Sequence, residues 1–146
     1  MKKLFCVLII FLLSGCATMT PFSTQSINPG DEKNAGIGDV FFEFSEGQTM
    51  HDPLLAALGG TVSNGMRFEL TILEMNSEKI GLQYNEFFYQ PPKAIGYTMI
   101  PGGWMVKEGY NKRFDYILAD KVIRFKGYEF EIVSVENGQI KYRRVK

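Results

Sequence analysis

The sequence predicts an all-β fold, a small antiparallel, partly open barrel or two-layer roll, SH3-like by analogy, with at most one short helix. Three observations carry this reading. Beyond Gly38, short segments rich in Phe, Tyr, Val and Ile recur between Gly and Asn punctuation. Two hairpins can be registered from their turns alone. Only one brief stretch has helical grammar.

Taken in chain order, residues 17–36 are rich in Thr, Ser, Pro, Asn and Gly and lack periodicity, so they read as a flexible tether. About 20 such residues reach roughly 65 Å when stretched. A single β domain is then expected over 38–146, after a tether over 16–37. Its strands are predicted over 39–45, 66–75, 79–89, 103–107, 113–118, 121–125, 128–136 and 139–145. The helical stretch is 53–58, with Asp52 as N-cap, Pro53 in the first turn and Gly59 as the stop.

A three-residue loop, 76–78, places Ile72 opposite Leu82 and Leu70 opposite Tyr84, which matches the apolar faces of the two strands. Asn137-Gly138 is a two-residue hairpin signal, because both central positions of the favoured turn need positive φ. It sets Val135 opposite Ile140, Val133 opposite Tyr142, Glu131 opposite Arg144 and Glu129 opposite Lys146. Phe130 and Ile132 then fall on the other face, with Val145. Such a change of face calls for a bent hairpin or a bulge.

The chain has 146 residues, 45% of them hydrophobic, with twelve Phe and seven Tyr, which is enough apolar surface for one core and excludes a disordered chain. The formal net charge of zero hides an asymmetry: four basic and ten acidic side chains over 16–105, against ten and six over 106–146. Spread over strands, the basic bias reads as a solvated sheet face; nucleic acid is not an expected partner.

Lys2 and Lys3 precede an unbroken apolar run, Leu4 to Leu13, which ends at Ser14 and Gly15. This is the grammar of a secretion signal, over residues 1–15, and the run is shorter than the roughly 20 residues a spanning helix needs. The quartet Leu13-Ser14-Gly15-Cys16 resembles the lipobox of bacterial lipoproteins. The resemblance covers the leader and Cys16 only. It implies cleavage before Cys16, a thioether-linked diacylglycerol on its sulfur and, in Gram-negative bacteria, a further acyl chain such as palmitate on its new amino group. Two or more chains hold a protein on a bilayer durably. Ala17 and Thr18 follow the cysteine where an Asp would favour inner-membrane retention. The resemblance therefore implies the outer membrane, with the domain facing the periplasm, if the organism is Gram-negative. Cys6 leaves with the leader, so no disulfide is expected.

Reactive constellations are sparse. His51 is the one histidine and reads as a loop or helix-entry residue, otherwise as a catalytic base. Glu129 and Glu131 share a strand face at about 7 Å, a spacing open to a glycosidase pair but better read as a solvated ion-pair ladder. Gly36-Ile37-Gly38 and Gly59-Gly60 lack the remaining residues of nucleotide loops. No metal and no cofactor is expected. The least ordinary stretch is 90–110, where Pro91-Pro92 and Gly102-Gly103 frame Tyr97, Met99, Trp104 and Tyr110. These four form either an exposed recognition loop or a buried lid, and the usual burial of aromatic residues favours the lid. A second candidate surface is the basic face of Arg124, Lys126, Lys141 and Arg143.

The expected function is that of a lipid-anchored, non-catalytic binding or structural module of the cell envelope, docking a protein or a periplasmic polymer. The alternatives are an envelope hydrolase using His51 and a lipoprotein inhibitor of a hydrolase.

Overall fold

A computed structural model describes residues 18–51 and 62–146. The leader, Cys16 and the helix expected over 53–58 lie outside the described residues. The strands are β1 (Thr18–Gln25), β2 (Glu32–Gly36), β3 (Val40–His51), β4 (Val62–Met75), β5 (Lys79–Gln90), β6 (Lys93–Ile95), β7 (Thr98–Ile100), β8 (Gly103–Val106), β9 (Lys112–Ile117), β10 (Val122–Phe125), β11 (Tyr128–Glu136) and β12 (Gln139–Arg144). They form a large sheet in the order β1-β3-β4-β5, with β8 and β9 both on the far edge of β5. A small sheet runs β10-β11-β12-β2, and β6 and β7 make a separate hairpin. Every pairing among them is antiparallel, and the fold is all-β, in open sheets rather than a closed barrel.

The segment expected to be a tether is instead part of the domain. β1 pairs with β3 from Thr18 opposite His51 to Gln25 opposite Phe44, and β2 pairs with β12 from Glu32 opposite Arg143 to Gly36 opposite Gln139. The physical reason for the difference is position. Both are edge strands whose side chains mostly face water. They need only the free backbone donors and acceptors of an existing sheet edge, and so lack the apolar alternation that marks a strand in sequence.

β3 and β4 also run farther than the sequence suggested, because Gly47 and Gly65, which read as punctuation, lie inside them and face each other across the pair. A Cβ on Gly47 would meet the Asn64 carbonyl oxygen at 2.2 Å and the Gly65 Cα at 2.7 Å, so the two backbones can approach this closely only with glycine there.

The first hairpin has the expected register, with Ile72 opposite Leu82 and Leu70 opposite Tyr84. In the second, Asn137 and Gly138 take φ of 51° and 75° and Val135 faces Ile140, but an irregularity at Val133 shifts everything beyond it by one residue. Ile132 therefore faces Tyr142 and Glu131 faces Arg143, in place of the expected Val133–Tyr142 and Glu131–Arg144 pairs. Glu129 bonds the backbone of Val145 as well as that of Lys146. The bulge puts Phe130 and Ile132 on the inner side with Ile140 and Tyr142, and leaves Val133 and Val145 exposed.

The core lies between the two sheets. Phe42, Phe68, Leu70, Ile72, Ile80 and Leu82 of the large sheet meet Ile123, Phe130, Ile132, Ile140 and Tyr142 of the small one. An irregularity in β3 lets two consecutive residues, Phe41 and Phe42, both point inward. Phe41 stacks on Tyr142 with ring centroids 4.1 Å apart, and the Tyr142 hydroxyl donates to the Phe41 carbonyl, so that it stays partnered despite its burial. Burial holds that phenol protonated well above its ordinary range.

Arg144 fastens the N-terminal segment to the last strand. It is buried, with its Nη1 donating to the Gln25 side chain and, at 3.0 Å, to the Ile27 carbonyl, while its guanidinium sits 4.9 Å from the Tyr128 ring centroid. Gly30 and Asp31 complete the junction through backbone bonds to Arg144 of 2.8 and 3.2 Å.

Candidate binding surface

One end of the large sheet gathers the start of β1, the end of β3, the start of β4, the end of β5 and the start of β8. The small sheet stops short of it: Met66, Phe88 and Met105 lie side by side across β4, β5 and β8 on the inner side, yet keep 48%, 44% and 48% of their surface exposed. A shallow groove of about 680 Å³ runs beside Met66, walled by Pro21, Phe22, Glu46, Gln48 and Asn64. A second, of about 330 Å³, is lined by Met19, Met50, Val62 and Pro91-Pro92.

On the outer side, Phe22 faces Gly47, Gly47 faces Gly65, and Tyr89 on β5 faces Trp104 on β8. The Phe22 ring covers Gly47 and the Trp104 ring covers Gly65, so close that a Cβ on either glycine would meet the ring within 3.0 Å. Aromatic rings thus replace the missing glycine side chains and shield the strand backbone. Arg67 lies beneath, its guanidinium 4.4 Å from the Phe87 centroid and 5.4 Å from that of Trp104, with Nη2 3.1 Å from Glu69. Burial raises the Glu69 carboxyl, with Arg67 working against that shift.

The four aromatic-loop candidates are dispersed. Tyr97 and Met99 are exposed on the β6–β7 hairpin, which springs from Pro91-Pro92 at this end. Trp104 is half-buried at its base, in edge contact with Tyr89. Tyr110 lies apart, beyond β8, with the Lys107 ammonium 3.8 Å above its ring. The buried-lid expectation is corrected: a three-residue strand pair on its own has no second layer to bury it. Phe22, Met19 and Met50 were missed, because they sit in stretches whose polar neighbours masked them. Gly47 and Gly65, small residues within strand-like context, were the available signal.

The basic-face candidates do not form a positive surface. Arg124, Lys141 and Arg143 stand on the outer side of the small sheet, 2.8 Å from Glu129, 2.7 Å from Glu32 and 2.6 Å from Glu131 respectively. The ladder is real, with Glu131 moved onto Arg143 by the bulge at Val133 and Glu129 paired with Arg124 of the adjacent β10. Lys126 turns away to the open edge of the core. There its Nζ is 2.5 Å from the Tyr84 hydroxyl and 3.1 Å from Glu86, with Lys107 3.4 Å from the same carboxylate.

The Tyr84 hydroxyl donates to Glu86 and so holds its carboxyl below the ordinary value of 4.5, with Lys126 and Lys107 adding to the effect against burial. Because the folded value lies below the unfolded one, the resulting stabilisation is complete above the ordinary value and drains away as pH falls through the folded value. The wild-type chain should therefore lose more unfolding free energy than Glu86→Gln between about pH 6 and about pH 3. Equal losses in urea titrations would remove this cluster from the acid response.

His51 ends β3 opposite Thr18, and its side chain lies outside the described residues. Among the described residues, no group of three or more His, Cys, Asp or Glu is arranged to hold a metal ion, and no helix is long and apolar enough to cross a membrane. No family model, curated protein or solved structure matches this chain. Its chemistry is therefore argued from its own residues.

Proposed function

We propose that the chain is a lipid-anchored protein of the cell envelope, held by acyl chains on Cys16 to the outer membrane with its domain facing the periplasm. There it works as a non-catalytic binding or structural module. The observation that carries this reading is the run from Lys2 to Cys16, a short positive and apolar leader ending in Leu13-Ser14-Gly15-Cys16. The aromatic end of the large sheet supports a binding role, since it exposes apolar side chains that the core leaves uncovered.

Intact-mass measurement on the protein extracted from membranes tests the anchor. The expected species lacks residues 1–15 and carries the added mass of a diacylglycerol and an acyl chain; a retained leader or a free Cys16 thiol would refute it. A His51→Ala chain should complement whatever defect deletion produces, and its failure to do so would favour the hydrolase reading.

A further inference from the structure

The lipid on Cys16 also determines where the uncovered end of the large sheet must lie. We propose that this end, with the β6–β7 hairpin, rests in the headgroup layer of the bilayer and takes phospholipid as its binding partner. The inference rests on the anchor reading and adds an orientation to it.

Only Ala17 stands between Cys16 and Thr18, the first residue of β1, so over two residue steps the anchor can stand no more than about 7 Å from the sheet. Thr18 faces His51, at the same end from which β4 starts and at which β5 stops. The charge of this end agrees. Residues 18–22, 47–51, 62–65 and 89–104 contain no Asp or Glu, and Lys93 is their sole Lys or Arg. Among the described residues, Glu46 borders this end in the groove beside Met66, while the rim formed by these ranges carries no carboxylate of its own to repel an anionic headgroup. The exposed side chains are those the interface favours: Met19, Ile95, Tyr97, Met99 and Ile100, backed by Trp104 and Tyr89. The depth is limited to the headgroups, because edge strand β1 carries unpaired backbone donors and acceptors that hydrocarbon would leave unsatisfied.

The test uses the full chain, processed in cells, purified in detergent and reconstituted into vesicles of phosphatidylethanolamine and phosphatidylglycerol that contain acyl-brominated lipid. Acylation of Cys16 and loss of Cys6 leave an introduced cysteine as the one free thiol. A bimane label at Tyr97→Cys should be quenched at least twofold more than one at Ser77→Cys, in the turn between β4 and β5 at the opposite end of the sheet. Adding Ile95→Asp and Ile100→Asp, both at exposed positions, should bring the label at 97 down to the level at 77. Equal quenching at 97 and 77 in protein whose acyl chains are confirmed by mass would overturn the proposal. It would leave the anchor standing and give this end to a protein partner. Quenching at 97 that persists with both aspartates would overturn it too. A chain without acyl mass removes the anchor and the proposal together.

Discussion

Phe42→Ala is expected to destabilise the domain by about 3–5 kcal/mol, the range for deleting a fully buried aromatic ring. Phe42 is 0% exposed and joins the two layers, with ring centroids 4.7 Å from Tyr128, 5.0 Å from Phe130 and 6.0 Å from Phe68. Phe130 and Tyr128 belong to the small sheet and Phe68 to the large one, so the cavity would open at the seam rather than within one layer. Loss of the ring removes its transfer free energy and the tilted ring contacts its neighbours make with it. Rigid β strands collapse poorly onto such a void, which places the cost at the upper part of the range. For a domain of this size the midpoint of thermal unfolding should fall by about 10 °C or more. Urea unfolding is the direct measurement, and a loss under about 1 kcal/mol would refute the packing described.

Gly47→Ala should cost about 3 kcal/mol, large for a single methyl group, because what the methyl meets is backbone. Its Cβ would lie 2.2 Å from the Asn64 carbonyl and 2.7 Å from the Gly65 Cα, and neither can swing aside as a side-chain tip could. The β3–β4 pair must separate at this point, and the Phe22 ring, 2.9 Å from the same Cβ, must lift with it. Gly103→Ala is the control: nothing lies within 4 Å of its Cβ, so stability should move by no more than about 0.5 kcal/mol. Hydrogen exchange should show the Gly47→Ala damage confined to β1, β3 and β4 near residues 18–22, 47–51 and 62–65. Protection there equal to wild type would contradict the close approach.

Where side chains pack against a layer, the fold was legible in the sequence. Leu70, Ile72, Leu82 and Tyr84 alternate cleanly because one face of each strand is buried, and that alternation with a three-residue loop fixes their register. The face change around Val133 was legible as a demand for a bulge, but its exact position was not. A bulge moves partners by one without altering composition, and so Glu131 meets Arg143 while Arg144 goes inward. Edge strands were invisible for the opposite reason. β1 and β2 are held by backbone bonds to their neighbours, to which Thr, Ser and Asn side chains contribute no pattern. The candidate surface was half legible: Tyr97 and Met99 stand out among prolines and glycines, whereas Phe22 over Gly47 depends on a pairing between residues far apart in the chain.

The union of β2 with β12 carries a consequence for how the molecule comes into being. The Arg144 bond to Ile27 joins residues 117 apart in sequence, and that from Tyr142 to Phe41 spans 101. A chain emerging amino end first offers β2 no neighbour until β12 has followed, so the four-stranded layer closes only once both ends of this long span are made. Such distant closure makes for slow maturation. Removing β12 would leave β2 without its partner strand and open to chaperones and proteases, while β1 would keep its pairing with β3.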